Sequence, residues 1–576
     1  MKSSCLRVSE EKVKKSKIRE VLAALISILL VFAIEFVAIE ASEGSNGNDS
    51  HTNHHAWTTV TSACSNTRYP KRCVSSMASY PAYQTAKLHD LTKVALQVSL
   101  TRARKAREFT RSLQKNLMKE RERMAWRDCL ELFEDTIHHL RVCSRNGSLS
   151  PDCPIWLSAS LTNQETCLNG FRDLNLSATN PIRALMSPRA VNLSELVSNS
   201  LSMYKFSTLP AKTRNNRSLL SVDTNEDGDF NSHYGRVSED GFPEWLSPRD
   251  RKLLRASSLA SLAHVVVAQD GSGHYWKIAQ AIKAAPRNSR KRYIIFIKAG
   301  IYKENIDISK KVTNLMLVGA GKSKTIVTGR RSVQDGYTTF RTATVAVSGK
   351  GFIARDMTFE NTAGPEKHQA VALRVGSDQS AVYRCSIRGY QDTLYVYSLR
   401  QFYREVDIYG TVDFIFGNAA VVIQNSNIIA RRPMINQKNT ITAQGRTDPN
   451  ENTGISIHNC NVLASPALAR VKGHIKTFLG RPWKEYSRTL FIQSTLDNHI
   501  DPAGWLEWDG NFALSTLYYG EYMNRGGGAG TSKRVNWPGF HVITSAREAY
   551  KFTAGKFIHG SSWIPSTGLA FTPGLN

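Results

Sequence analysis

The sequence predicts two structural halves, a helical region over residues 57–206 and a β-solenoid over residues 259–576. Three observations predict this division. The chain has 576 residues, too many for one ordinary hydrophobic core. Before residue 207 apolar side chains recur at helical spacing, whereas from Ala263 onward short Val, Ile, Phe and Tyr runs end at Gly or Asn. Between the two, residues 207–258 exchange apolar periodicity for Ser, Asn, Asp, Arg and Gly, the composition of a linker.

The chain opens on a basic stretch with Lys12, Lys14, Lys15, Lys17 and Arg19, followed by an apolar run from Val21 to Ile34 and small residues at Ala41 and Ser42. That order reads as a signal peptide over residues 1–41, with a retained signal-anchor as the alternative. Glu35 interrupts the apolar run, and a carboxylate in hydrocarbon is costly. Either way the bulk of the chain enters the secretory pathway.

Two features of the first half agree with an oxidising compartment. Glycosylation acceptors of the Asn-x-Ser/Thr form occur at Asn48, Asn146, Asn175, Asn192 and Asn216. Six of the nine cysteines also fall there, Cys64, Cys73, Cys129, Cys143, Cys153 and Cys167, and read as a disulfide framework. Cys385 and Cys460 stand alone in apolar, strand-like settings and are expected to be buried free thiols.

Within the helical half, Ala86–Leu117 runs long without Pro or Gly, and Met124–Leu140 and Leu193–Tyr204 repeat its character. Short joints such as Asn146–Pro154 separate these stretches, which fits an antiparallel bundle. In the second half the runs Tyr293–Lys298, Leu315–Val318, Thr344–Val347, Val421–Gln424 and Ile455–Ile457 read as strands. Asn418, Asn425, Asn427, Asn459 and Asn461 at their ends suit repeated tight turns. A right-handed parallel β-helix fits best; a propeller or sandwich is the alternative. The linker ends in Arg251-Lys252-Leu253-Leu254, either a solvated charge cluster or an exposed processing site.

A formal charge of +27 implies attraction to polyanions, and charge alone does not choose among nucleic acid, anionic membrane and acidic polysaccharide. The chemistry lies in four strings: Gln369–Arg374, Tyr390–Tyr395, Gly410–Asn418 and Leu479–Trp483. Gln369 and Gln391 are 22 residues apart, and Asp392 and Asp413 are 21 apart, close to one solenoid coil. Two amides and two carboxylates would then share one face. A carboxylate can attack an ester carbonyl, and a second, protonated one can serve the leaving alcohol. Amides can hold an oxyanion, and a guanidinium such as Arg481 can keep the nucleophile ionised. A lone Asp is more often a turn or capping residue, but Asp413 between Val412 and Phe414 would be costly to bury without a purpose.

Other motifs fail. Gly319–Ser323 looks like the tail of a phosphate loop, but Met316 stands where the earlier glycine is required. No His-Glu-x-x-His string, zinc-spaced cysteine pair or Gly-x-Ser-x-Gly string occurs, so a metal or a serine nucleophile has no support.

At these strings the sequence resembles plant pectin methylesterases made with an N-terminal inhibitor domain. The resemblance covers nearly everything after residue 57 and includes Gly300–Glu304 beside the four strings. It implies an all-β right-handed parallel β-helix preceded by an all-α four-helix bundle, acting on methylesterified homogalacturonan of the cell wall. It implies Asp413 as nucleophile, Asp392 as general acid and then base, Gln391 with Gln369 beside it as oxyanion stabilisers, and Arg481 as the holder of Asp413. Thr339, Gln369, Arg481 and Trp483 would contact substrate, with Phe340, Tyr395, Phe416, Phe478 and Trp505 as aromatic walls. No metal or organic cofactor is implied. The expected product is methanol, and the expected species is a secreted monomer. Its partners would be the polymer and candidate inhibitor proteins, with no nucleic acid, and any membrane contact would run through the N-terminal segment.

The resemblance also implies Cys64–Cys73 and Cys129–Cys167 bridges; Cys143 and Cys153, flanking the Asn146–Pro151 joint, could form a third. Many relatives carry a cysteine pair where this chain has Val406 and Ser426. Two other functions compete with an active esterase: an inhibitor bundle acting in trans, and a non-catalytic pectin-binding β-helix. The carboxylate pair favours the esterase, since a binding module has no need of it.

Overall fold

The computed structural model describes residues 59–80, 90–145, 148–208 and 259–576. The leader or anchor over residues 1–41 and the string at 251–254 lie outside the described residues, as do Asn48, Asn146 and Asn216. Among the described residues no helix is long and apolar enough to cross a membrane.

The first half is helical, and its described helices include α1 (Pro70–Ala78), α2 (Leu91–Ser112), α3 (Glu120–Cys143), α4 (Cys153–Asp173) and α5 (Pro181–Thr208). Leu96, Leu100, Ala103 and Ala106 of α2 recur at three- and four-residue intervals and are buried, as one stripe of a helix must be. At the start of α3 the Lys119 N–H donates to the Glu122 carboxylate at 2.7 Å, closing the first turn. Pro154 stands in the first turn of α4, where its missing N–H costs nothing. Helices α2 to α5 pack as a closed ring of neighbours, α2 on α3, α3 on α4, α4 on α5 and α5 on α2.

Helix α4 differs from the rest because it is buried all round. Ile155, Leu157 and Leu161 are buried together with Ser158, Ser160, Thr162, Asn163 and Gln164. One side packs among helices and the other against the β half, so polar residues are buried wherever a partner exists. Disulfides join Cys64 to Cys73, Cys129 of α3 to Cys167 of α4, and Cys143 to Cys153 at the α3–α4 hairpin, with Cα separations of 5.6, 4.6 and 4.6 Å.

The second half winds through three parallel sheets of 11, 8 and 7 strands, consistent with a right-handed β-helix. The seven-stranded sheet positions the site. Its strands are β1 (Ile306–Ile308), β2 (Val345–Val347), β3 (Leu373–Val375), β4 (Leu394–Val396), β5 (Ile415–Gly417), β6 (Asn439–Gln444) and β7 (Thr477–Gly480), neighbours in that order. Leu373 pairs with Leu394 and Leu394 with Ile415, so like residues stack inside the coil. All three are fully buried, and each such side chain contributes about 1.5–3 kcal/mol relative to exposure.

Between the 11- and 8-stranded sheets six successive coils make a two-residue corner. Its first residue is left-handed: Asp356, Arg384, Glu405, Asn425, Asn459 and Gln493 have φ between 48 and 57°. The second points inward and forms a ladder of Met357, Cys385, Val406, Ser426, Cys460 and Ser494, all buried. Asn425 and Asn459 therefore serve the tight turns expected of them, while Asn427 and Asn461 open strands and hydrogen-bond each other at 3.1 Å. Cys385 and Cys460 are free and buried. The Ser426 hydroxyl accepts the Val406 N–H at 3.2 Å.

Candidate active site

Asp392 and Asp413 each stand two residues before a paired strand position, Leu394 of β4 and Ile415 of β5, so the 21-residue interval is one coil in register. The backbone agrees, because the Asp392 N–H donates to the Val412 carbonyl at 3.0 Å. Both residues adopt left-handed backbone conformations, φ 60° for Asp392 and 51° for Asp413. Such a conformation is costly for a side-chain-bearing residue and turns both carboxyl groups out of the strand alternation.

Asp413 is 5% exposed and held from three directions. Arg481, just beyond β7, donates Nε to one carboxylate oxygen at 2.8 Å and Nη2 to the other at 2.6 Å. The Thr440 hydroxyl donates to Oδ1 of Asp413 at 2.6 Å and accepts the Asp413 N–H at 2.9 Å. The bidentate guanidinium and the hydroxyl donor fix the orientation of this carboxylate. Arg481 is in turn positioned 4.4 Å over the ring of Trp508, an exposed indole.

Asp392 has the opposite environment. Burial pushes its carboxyl well above the usual range, the charges of Asp413 and Asp173 push it further, and Arg481 opposes them. One ion-paired carboxylate therefore lies beside one that holds its proton, a pairing suited to nucleophile and acid.

Gln391 and Gln369 are partly exposed at the rim. No hydrogen bond within the described residues engages either side-chain amide, which leaves both as donors for an incoming group. The 21-residue register aligns Gln391 with Ala370, and Gln369 with Tyr390, so the two amides are one position out of step. Tyr395 and Phe416 stack at 4.2 Å, and Trp483 meets Phe416 edge-on at 5.9 Å. Phe340 lies under the guanidinium of Arg374, 3.4 Å away. Trp505 is a correction to the expected wall: it is 1% exposed inside the coil, stacked on Tyr519 at 4.1 Å with its indole N–H on Glu521. Phe478 is buried at the start of β7.

Helix α4 lies across this face. Asn163 accepts from the Tyr397 hydroxyl at 2.7 Å, and Thr162 accepts from Asn418 at 2.9 Å. At its C-terminal end the Asp173 carboxylate accepts the Thr339 N–H at 2.8 Å. Burial raises the Asp173 carboxyl to about 6, against the bonds from Thr339. Phe340, Tyr395, Phe416 and Trp483 thus pack against the helical half rather than facing solvent. Of the acceptor asparagines that are described, Asn175 is exposed after α4 and Asn192 is partly buried on α5. Among the described residues no group of three His, Cys, Asp or Glu side chains could hold a metal ion.

Sequence reasoning missed Thr440 and Asp173. Thr440 is 27 residues after Asp413, because residues 431–438 lengthen that coil and break the period. Asp173 reaches the site from another half of the chain, and no local signal marks it.

The fold and the site together are those of a carboxylic ester hydrolase. Residues 264–561 match the pectinesterase family model, and residues 58–203 match the model for plant invertase/pectin methylesterase inhibitors. A probable pectinesterase/pectinesterase inhibitor 61 of Arabidopsis thaliana is 48% identical over 530 residues, covering 90% of this chain and 87% of the relative. Pectinesterase 2 of Citrus sinensis is 50% identical over 519 residues, 90% of this chain and 95% of its own. The solved pectin methylesterase from carrot is 60% identical, covers 54% of this chain and 98% of its own, and superposes with a TM-score of 0.54. The chain belongs to the pectinesterase family, with an inhibitor-type domain ahead of the esterase domain, and its activity is that of a pectin methylesterase.

Proposed function

We propose that the chain hydrolyses methyl esters of homogalacturonan in the plant cell wall through an acyl-enzyme on Asp413. The observation that carries this reading is the unequal pair: Asp413 ion-paired on both oxygens by Arg481, and Asp392 with its carboxyl pushed well above the usual range one coil away. An Asp413 oxygen attacks the ester carbonyl, and the oxyanion is met by the free amide of Gln391 with Gln369 beside it. Collapse expels methoxide, which takes the Asp392 proton and leaves as methanol. The resulting anhydride is cleaved by water, whose proton passes to Asp392, restoring both carboxyl groups and leaving a free acid on the polymer. Thr339 and Trp483 border the site and would contact the neighbouring sugars, with Arg481 and Gln369 beside them.

The first half reads as the four-helix bundle of the inhibitor family. With α4 bonded to Tyr397, Asn418 and Thr339, a polymer has no path to the dyad, so turnover belongs to the esterase half with α4 displaced. That half has its own interior core, made only of residues after 264, and the match to the carrot enzyme takes in 98% of that chain and 54% of this one. Methanol release from methylated pectin by residues 259–576, compared with the full chain, tests the reading. Release by the shorter protein alone is expected; release by neither would overturn it.

A further inference from the structure

Arg481 holds Asp413 with Nε and Nη2 together, and a guanidinium makes two such bonds only when its plane lies close to that of the carboxylate. The Arg481 N–H donates to the Thr442 carbonyl at 3.0 Å, which fixes where the side chain starts but not how its far end is turned. Nη1 makes no hydrogen bond among the described residues. The side chain is 24% exposed, so one side of the fork faces outward. That side can tilt unless a neighbour packs against it.

The neighbour is Trp508. The chain returns past β7 one coil later, where Gly480 and Trp505 form a parallel bridge and the Leu506 N–H donates to the Gly480 carbonyl at 3.0 Å. Trp505 turns inward there, stacked on Tyr519 and bonded through its indole N–H to Glu521. That anchor sets the register of the returning coil from the inside. Three residues further on, Trp508 meets Arg481, with the guanidinium carbon 4.4 Å from its ring centre. Trp508 is 37% exposed with the helical half in place, and no hydrogen bond among the described residues engages its indole N–H. Neither deep burial nor a hydrogen bond holds this ring, and the guanidinium is the partner it has.

We propose that Trp508 is a positioning residue for the ester hydrolysis: its ring packs against the outer side of Arg481 and keeps the guanidinium in plane with the Asp413 carboxylate. This rests on the reading of Asp413 as nucleophile, and Trp508 acts through Arg481 rather than on the reacting atoms. Without the ring the guanidinium can tilt, leaving one bond to the carboxylate in place of two. Asp413 then loses the orientation from which an oxygen reaches the ester carbonyl. Arginine suits the arrangement, since its planar ion can stack on an aromatic face and fork onto a carboxylate at once.

The test is methanol release from fully methylesterified pectin by residues 259–576, the half with its own interior core. Trp508→Ala should lower kcat about three- to thirtyfold, the range of cation–aromatic contacts, while KM changes less than about twofold. Trp508→Phe keeps a ring face and should stay within about threefold of wild type, whereas Trp508→Leu keeps bulk without the face and should match the alanine variant. Thermal unfolding of the variants should match wild type, and the contrast between Phe and Leu decides the matter if the alanine variant is unstable. In an Arg481→Lys background, where no fork remains to be held, Trp508→Ala should cost less than about twofold, so the two losses are not additive. Near wild-type kcat in Trp508→Ala beside an impaired Arg481→Met would overturn the proposal and leave the esterase reading standing. A rise in KM at unchanged kcat, or a loss of equal size in the Arg481→Lys background, would also overturn it. Wild-type turnover by Arg481→Met would instead overturn the reading of Asp413 on which the proposal rests.

Discussion

Arg481 grips both oxygens of Asp413, at 2.8 and 2.6 Å, from a coil two strands away in the same sheet. The pair joins β5 to β7 over the top of β6, and Thr440 at the head of β6 completes the grip from between them. The orientation of the Asp413 carboxylate thus depends on three successive coils.

Arg481→Met removes two charge-assisted bonds, each typically about 1.5–3 kcal/mol. A fall in kcat on the order of 10²- to 10³-fold is expected, measured as methanol release by residues 259–576. Arg481→Lys should recover only part of it, since an ammonium cannot hold both oxygens.

Thr440→Val leaves the shape nearly unchanged but removes the hydroxyl that bonds both the Asp413 carboxylate and its N–H. The expected loss in kcat is about tenfold or more, from one bond to a charged group. Thr440→Ser should stay close to wild type, and steady-state kinetics of the three proteins decide it.

How far this site could be read from the sequence follows from where its parts lie along the chain. Asp392 and Asp413 were legible as neighbours because their coil has no insertion, so spacing in sequence equals spacing in the sheet. Thr440 was not, because the extra residues at 431–438 hide the same register. Helix α4 gave no periodic signal, since it is buried on all sides and carries serine, threonine and asparagine where an ordinary helix carries leucine. Trp505 looked like a sugar platform by its type alone, but its partner Glu521, which satisfies the indole N–H inside the coil, is visible only in the fold. The solenoid itself was legible, because every coil repeats the same short strands and corners.

Asp173 ties α4 to the site and carries a carboxyl raised to about 6 from 3.8. A group with a raised value stabilises the folded chain at pH below 3.8, and that contribution is lost as pH rises through 6. Thermal unfolding of the full chain should therefore show a steeper loss of stability across that window than Asp173→Asn, which has no charge to bury. Parallel pH profiles for the two proteins would contradict the assignment.

Val406 and Ser426 stack on adjacent coils, 20 residues apart, at the corner ladder. Val406→Cys with Ser426→Cys should form a bridge that raises stability by about 3 kcal/mol in the chain-entropy account. Cys385→Ala belongs in the same protein, since Cys385 is the next rung of the ladder and could pair with the new thiol. Thermal unfolding with and without reductant measures the gain.

The central claim is that Asp413 forms the bond to the substrate. The most direct measurement is methanol release by residues 259–576 carrying Asp413→Ala, with circular dichroism to establish that the β-fold is retained. The account predicts a folded protein with no turnover above background. A folded protein that retains near wild-type turnover would contradict it.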